Sequence, residues 1–233
     1  MLSKHGSLAL ILPALLAAVA TRCAPADTDA ATVGQAQQPR SAAASFSMAG
    51  SSVEGLHLMV APSGNEARYR IREQLVRIDL PSDAIGRTSD VTGGIGVGAD
   101  GRIISGESKF VINVGALKSD RDMRDGFVRR RVLETDQYPT VEFVPTRLRG
   151  LPKNLPTSGR HTFDVIGDLT VRGVTKPTTW RVTAESKNGQ VTGSASTLFT
   201  FSDFNIDRPR VPIVLSVQDT IRLEYDFTLV PKG

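Results

Sequence analysis

The sequence predicts an all-β fold, an antiparallel up-and-down β-barrel of about eight strands with one short α-helix. After residue 55, segments that alternate apolar and polar residues recur along the chain and are joined mostly by hairpin turn signals. A helical hydrophobic period occurs there only once, at about Ser119–Arg131. The last alternating segment, residues 221–229, is long and strongly patterned, as suits a strand that closes a barrel and removes its edges.

Composition and charge indicate an ordinary globular protein with one sizeable domain plus extensions. The chain has 233 residues, of which 40% are hydrophobic and 22% charged, and its formal net charge is +4. That charge is too small to indicate nucleic-acid binding, so we expect no nucleic-acid partner. Cys23 is the single cysteine, which excludes an intrachain disulfide.

The N-terminus predicts export. Residues 1–20 combine a weakly basic start with an apolar run at 8–19, which is too short for a membrane span, and with the small-residue site Ala18-Val19-Ala20. We therefore expect cleavage after Ala20 and a periplasmic or secreted protein. Lipid anchoring through Cys23 is the alternative, disfavoured because Arg22 occupies the preceding position, where lipoprotein signals have a small residue.

Two further segments complete the predicted organisation. Residues 21–54 are rich in Ala, Gln and Ser and have little to bury, so they are predicted to form a disordered tether. Residues 55–233 form the predicted barrel domain.

The first half of that domain predicts strands at residues 56–60, 67–72, 88–97 and 108–114, with a short piece at 75–80 and a loop at 81–86. Segment 67–72 alternates most cleanly and places Arg68, Arg70 and Arg72 on one face. This arginine row is either an anion-binding stripe or a solvated outer face, and we favour the solvated face.

A glycine-rich motif needs a separate interpretation. Residues 96–101 match G-x-G-x-x-G, which binds dinucleotides when a strand precedes it and a helix follows. Here Asp100-Gly101 is a hairpin signal and another strand follows. We therefore interpret the motif as a hairpin and predict no cofactor.

The predicted helix begins near Ser119, a suitable N-cap, with Asp122 in the capping-box position. Met123 and Phe127 fall on one apolar stripe, which we expect to pack over one mouth of the barrel.

The second half of the domain predicts strands at residues 140–144, 163–171, 178–184, 191–201 and 221–229. Pro145 marks a bulge or the end of its strand, a turn is expected at 173–177, and Asn188-Gly189 predicts a tight hairpin.

Three motifs resemble those of the YceI-like family, and the resemblance spans about residues 55–230. They are Arg121-Asp122 with Arg124-Asp125, the segment 138–143 (YPTVEF) and the segment 167–177 (GDLTVRGVTKP). The resemblance implies a lipocalin-like barrel, commonly exported in bacteria, in which some members hold a long polyisoprenoid. It carries no agreed catalytic residues. The chain departs from the family where Glu73-Gln74-Leu75 replaces His-Leu-Gly after the second strand, and in the loop 75–86.

The inward faces predict a ligand-binding lumen. Small residues at Ala67, Gly167, Gly193 and Ala195 could leave a channel between the aromatic side chains, although the aromatics could equally complete a dry core. The resemblance favours the cavity. The predicted ligand-binding residues are Tyr69, Ile71, Phe110, Ile112, Phe143, Phe163, Val165, Trp180, Ala195, Phe199, Phe201, Leu223, Tyr225 and Phe227.

The sequence leaves three alternative functions. The first is a non-catalytic exported protein that holds a polyisoprenoid or related lipid. The second is a structural or stress-related interaction module with a filled barrel. The third is an enzyme, which we disfavour because the usual constellations are missing. Beyond the leader the histidines are His57 and His161, and the carboxylates Asp164 and Asp168 lie on a predicted outer face.

The export hypothesis makes a direct prediction. The mature protein should begin at Thr21, because the small-residue site ends at Ala20. Intact-mass measurement of protein from the periplasm or medium tests this. A mass that includes a diacylglyceryl group on Cys23 would contradict it and indicate a membrane anchor.

Overall fold

The computed structural model describes residues 55–77, 79–152 and 155–233. The predicted leader 1–20 and tether 21–54 lie outside these residues. Helix α1 spans Asp122–Phe127 and continues into a π-helical turn at Val128–Val132, and a 3-10 turn lies at Phe201–Phe204. The β-segments are β1 (Leu56–Val60), β2 (Glu66–Leu75), β3 (Ser82–Thr88), β4 (Val91–Val97), β5 (Lys109–Asn113), β6 (Thr140–Arg149), β7 (Gly159–Val171), β8 (Val174–Lys187), β9 (Gln190–Thr200) and β10 (Val214–Pro231).

These segments form a closed antiparallel barrel of eight strands. Segments β1 and β2 lie end to end along β10 and together form one strand of the barrel. Segment β4 pairs with β1 and β3 pairs with β2, so these two form the next strand. The remaining strands follow in chain order from β4 to β10, and β10 closes the barrel by pairing with both β1 and β2. The predicted up-and-down barrel with one short helix is thus confirmed.

The break between β1 and β2 is held by one buried side chain. The Asn65 amide nitrogen donates to the carbonyl oxygens of Ala61 (2.8 Å) and Ser63 (3.2 Å). Its amide oxygen accepts from the Tyr225 hydroxyl (2.9 Å) and from the backbone N–H of Thr228 (3.1 Å). The interruption is therefore bonded to β10, and no polar group of this amide is left without a partner.

The region after β2 corrects two predictions. Strand β2 runs on to Leu75, and the described residues of the short piece expected at 75–80 form no strand beyond it. The loop expected at 81–86 lies mostly within β3. The inward face of β3 consists of Ala84, Gly86 and Thr88, all three of which are buried. Small residues bury little apolar area, so the hydrophobic pattern that identifies a strand was weak here.

The second half is more regular than predicted. The turn between β7 and β8 is Arg172-Gly173, both at positive φ, so β8 begins at Val174 and includes Pro177, which the sequence placed in a turn. A register shift follows Pro145 within β6, which confirms the predicted bulge. Asn188-Gly189 forms the predicted hairpin turn.

Helix α1 differs from its prediction at the N-terminus. Its N-cap is Arg121, without a side-chain capping bond, so the capping box of Ser119 and Asp122 is wrong. Instead the Asp125 carboxylate accepts from the Ser119 N–H (2.9 Å) and hydroxyl (2.6 Å). An acidic side chain inside the first turn therefore bonds back to the approaching chain, which also places negative charge near the positive end of the helix dipole.

The structure agrees with the interpretations that the sequence favoured for the glycine-rich motif and the arginine row. The Gly98 N–H donates to the Arg102 carbonyl oxygen at 2.8 Å, closing a hairpin at this motif. Arg68 bonds to Glu224 (3.2 Å) and Asp226 (2.6 Å) on β10. The rest of the row is paired in the same way: Arg70 with Asp83 and Glu224, and Arg72 with Asp83. The row is neutralised by carboxylates, as expected for an outer face.

Two leucines provide a stability test of the barrel wall. Leu169 of β7 is 1% exposed in the core, whereas Leu198 of β9 is 56% exposed on the outside. Leu169→Ala should lower the free energy of unfolding by about 2–5 kcal/mol through lost burial and a new cavity. The matched Leu198→Ala should change it by no more than about 0.5 kcal/mol. Chemical denaturation measures both, and equal losses would mean that the inward and outward faces are misassigned.

Candidate functional site

The barrel encloses an apolar cavity of about 510 Å³. Side chains from all ten β-segments line it, and so do residues at both ends of the barrel. At one end the lining includes Leu151, Leu155 and Pro156; at the other it includes Met123 and Val211. The interior is therefore a channel along the barrel axis rather than a dry filled core, which resolves the alternative left open by the sequence.

All fourteen predicted ligand-binding residues lie on the wall of this cavity. Five of them are buried: Phe143, Val165, Trp180, Phe201 and Phe227. The other nine are partly buried and pack against that core: Tyr69, Ile71, Phe110, Ile112, Phe163, Ala195, Phe199, Leu223 and Tyr225. Phe201 lies in the 3-10 turn and not on β9, where the sequence placed it. Contact with a ligand remains a prediction for all fourteen.

The predicted role of two small residues needs correction. Gly167 and Gly193 do not themselves open the channel, because aromatic rings cover them: a Cβ atom would lie 2.8 Å from the Phe143 ring and 2.7 Å from that of Phe227. These distances are below van der Waals contact, so only glycine lets the rings lie so close to the wall. Ala67 and Ala195 do line the cavity, as predicted.

The aromatic side chains pack against one another around the lumen. Phe143 and Trp180 have ring centroids 5.5 Å apart, and Tyr225 lies 6.2 Å from Phe110 and 5.7 Å from Phe227. These separations are in the range of favourable aromatic contacts, which hold the rings in defined positions. A wall ordered in this way leaves little freedom for the rings to collapse inward.

A buried ion pair, which the sequence analysis missed, stands at the helix end of the cavity. An Arg124 guanidinium nitrogen lies 2.5 Å from a Glu73 carboxylate oxygen, and the same guanidinium contacts Asp120. Both side chains of the pair line the cavity, and only 14% and 8% of them is exposed. The sequence pattern could have identified Glu73, because it continues the alternation that places Tyr69 and Ile71 on the inward face. The family departure at Glu73-Gln74-Leu75 thus lies within β2 and not after it.

The tyrosine hydroxyls in the wall are neutral at physiological pH. Burial raises the pKa of Tyr69 to about 12, with nearby Arg124 acting in the opposite direction. Burial also raises the pKa of Tyr225, whose hydroxyl donates to Asn65. Since Glu73 and Arg124 neutralise each other, the wall presents little net charge to a ligand.

Several lining residues were not among those predicted, although the alternation of their strands could have identified them. Leu58 of β1 and Val182 of β8 are buried inward-facing residues, and Ile95 of β4 is a partly buried residue packed against the same core. Leu148 of β6 was missed because the predicted strand stopped before the bulge at Pro145.

The residues considered for catalysis are spread over the molecule. Asp164 bonds to Arg149 (2.8 Å) and Arg181 (3.0 Å), which hold the pKa of its carboxyl below the ordinary value. His57 pairs with Glu107 at 2.8 Å, whereas His161 lines the cavity. Within the described residues no group of three His, Cys, Asp or Glu side chains is arranged to hold a metal ion.

Helix α1 covers part of one mouth, but not as predicted. Phe127 is half-buried and lines the cavity, whereas Met123 is 78% exposed. The expected packing over the mouth is therefore wrong for Met123, although its side chain borders the cavity. In the part of the chain that the structure describes, no helix has the length and apolar composition needed to cross a bilayer.

Comparison with curated proteins finds partial relatives. A UPF0312 protein of Pseudomonas putida strain GB-1 is 37% identical over 105 residues, which cover 42% of this chain and 51% of the relative. A UPF0312 protein of Pseudomonas fluorescens strain SBW25 is 32% identical over 111 residues, covering 44% and 54%. The chain thus spans about half the length of the curated relatives it matches.

Comparison with solved structures finds the same fold. A polyisoprenoid-binding domain from Saccharophagus degradans matches with a TM-score of 0.59 at 12% identity, covering 76% of this chain and 99% of that domain. BcnA of Burkholderia cenocepacia matches with a TM-score of 0.53 at 17% identity, covering 70% and 95%. The family model described as the YceI-like domain matches residues 59–229, most of the chain. The chain therefore belongs to the YceI-like family.

Proposed function

We propose that this protein is an exported, non-catalytic binding protein that holds an apolar chain, a polyisoprenoid or related lipid, in the lumen of its barrel. The observation that carries the proposal is the continuous apolar cavity between the strands. Its volume of about 510 Å³ falls in the range of ordinary ligand sites, roughly 300–1,000 Å³. The Saccharophagus degradans domain, which shares the fold, is a polyisoprenoid-binding domain, and this supports the same ligand class.

Energetics favour an occupant for this cavity. Sealed cavities left by core substitutions cost about 24 cal/mol per Å³, which sets an upper bound on the order of 10 kcal/mol for leaving this volume empty. That is comparable with the whole stability of a typical domain, roughly 5–15 kcal/mol. Water is a poor filler because it needs two to four polar partners, and the wall offers few. An apolar chain gains about 0.8 kcal/mol for each buried methylene.

The chemistry of the wall also favours binding over catalysis. The lumen holds aliphatic and aromatic carbon, neutral tyrosines and an ion pair whose charges are already satisfied. Its one histidine, His161, lies at the end away from that pair, and its Nε2 is 3.1 Å from the Ser158 carbonyl oxygen. General acid–base chemistry needs a titratable group within reach of the substrate and with a pKa near neutrality. The filled-barrel alternative loses support because the interior is open.

Export is part of this proposal, supported by the leader pattern at residues 1–20. An apolar chain would then be held outside the cytoplasm, in the periplasm or the medium.

A wall substitution tests the lumen directly. Ala195 lies between Val182 and Tyr225 on the neighbouring strands and lines the cavity. Ala195→Phe should lower affinity for an apolar chain about tenfold or more, because the added ring occupies space that the chain needs, and a tenfold change corresponds to about 1.4 kcal/mol. Fluorescence titration with cis-parinaric acid, with geranylgeraniol as competitor, measures the affinity. Native mass spectrometry of wild type should show co-purified lipid.

Two controls separate the lumen from the outer surface. Leu198→Phe adds the same residue to the outside of the same strand, and Arg70→Ala removes an outward charge; both should bind like wild type. Denaturation of Ala195→Phe checks that overpacking, which costs about 1–3 kcal/mol, has not unfolded the barrel. If folded Ala195→Phe binds as tightly as wild type, the chain is not held in the lumen.

A further inference from the structure

We infer that the helix end of the barrel is a docking surface for a lipid bilayer, through which the apolar chain enters and leaves the lumen. This inference rests on the proposed function. The surface, called here the apolar rim, consists of five exposed residues on three segments: Val76, Leu80, Met123, Ile213 and Leu215.

The apolar rim is a concentration of exposed apolar side chains, not a scatter. Nine large hydrophobic residues are exposed among the described ones, and five of them belong to this rim. Leu80, Met123 and Leu215 are 76%, 78% and 67% exposed. Single exposed hydrophobics are common on protein surfaces, but a group around the mouth of a cavity indicates an interaction site.

Backbone and side-chain contacts bring the three segments together. The Val76 N–H donates to the Ile213 carbonyl oxygen at 3.0 Å, which joins the β2–β3 turn to the start of β10. The ion pair of Arg124 with Glu73 holds α1, and with it Met123, beside the end of β2.

The rim is continuous with the lumen. Met123 and Ile213 are exposed to solvent and also line the cavity, so an apolar path leads from the surface to the interior. An apolar chain has no appreciable supply in water, and a bilayer is the phase from which it must come. Loop side chains that are about three-quarters exposed can enter the interface of a bilayer without needing a complementary protein face.

The charges around the rim determine how it contacts a bilayer. Among the exposed side chains of residues 76–81, 120–127 and 207–215, four cations and four anions cancel: Arg77, Arg121, Arg208 and Arg210 against Asp79, Asp120, Asp122 and Asp207. Two of these arginines are also engaged, Arg208 with Asp219 at 3.3 Å and Arg121 with Asp120 at 3.7 Å. Docking is therefore apolar insertion, which tolerates neutral lipid and salt, rather than attraction to anionic lipid.

A transfer experiment tests the rim separately from the lumen. The variant Leu80→Ser/Leu215→Ser removes two rim residues that do not line the cavity. The matched control Met59→Ser/Leu198→Ser makes similar changes on the outer wall, where these residues are 43% and 56% exposed. Cis-parinaric acid is supplied either from ethanol, which reports equilibrium uptake, or from phosphatidylcholine vesicles, which reports transfer.

The rim variant should transfer the probe from vesicles about tenfold more slowly than wild type, with equilibrium uptake unchanged, because it loses much of the area that enters the bilayer. The control should match wild type in both measurements. Wild-type transfer should persist at high salt.

Each other outcome has a distinct meaning. If wild type takes up no probe from ethanol, the proposed function fails. If wild type takes up the probe but the rim variant transfers it at the wild-type rate, the docking surface is overturned while the lumen stands. Loss of transfer at high salt would replace apolar insertion with electrostatic binding. Sedimentation tests one more alternative. If wild type is a dimer that does not bind vesicles, and the rim substitutions dissociate it, the rim is a surface for self-association.

Discussion

The barrel depends on the hydrogen bonding of its last strand. Strand β10 pairs with β9 along one side and with β2 and then β1 along the other, so its 18 residues close the sheet. An open sheet would leave two edges for other chains to pair with, and closure removes them. Because β1 and β2 are separate segments, the buried amide of Asn65 bridges the interruption. Its nitrogen donates to the Ala61 carbonyl oxygen before the break, and its oxygen accepts from Tyr225 and Thr228 of β10.

A closed barrel of eight strands is at the size where the interior either fills with side chains or holds one small ligand. In this barrel, the packing of aromatic rings against the wall decides between the two. Gly167 and Gly193 each accept an aromatic ring from a neighbouring strand, so these rings lie against the backbone. Larger residues at the two positions would force the rings toward the axis. The glycines therefore widen the channel indirectly, by letting bulky residues occupy the wall.

The sequence predicted the fold class, the order of most strands and the inward faces, because alternation with period two survives wherever the inward residues are large. It failed where they are small, as in β3, whose inward face is Ala84, Gly86 and Thr88. It also failed at helix α1, where local capping rules favoured Ser119 but the tertiary contacts of Asp125 and Arg124 set the geometry. The fourteen lumen residues were found through alternation, whereas Glu73 was missed since a carboxylate does not match an apolar pattern.

The pair of Glu73 and Arg124 has a consequence for ligand exchange. Removing charges from water is costly, so a pair this enclosed persists only because each charge is satisfied by the other and, for Arg124, by Asp120. Such a pair adds little affinity for an apolar chain, but it fixes α1 at the mouth and keeps the exposed Met123 beside the channel. The polar contact thus positions the helix, and the apolar side chain that the helix exposes belongs to the proposed docking surface. Within this one short helix, the residue that fixes the position of the helix and the residue that provides its apolar surface are different.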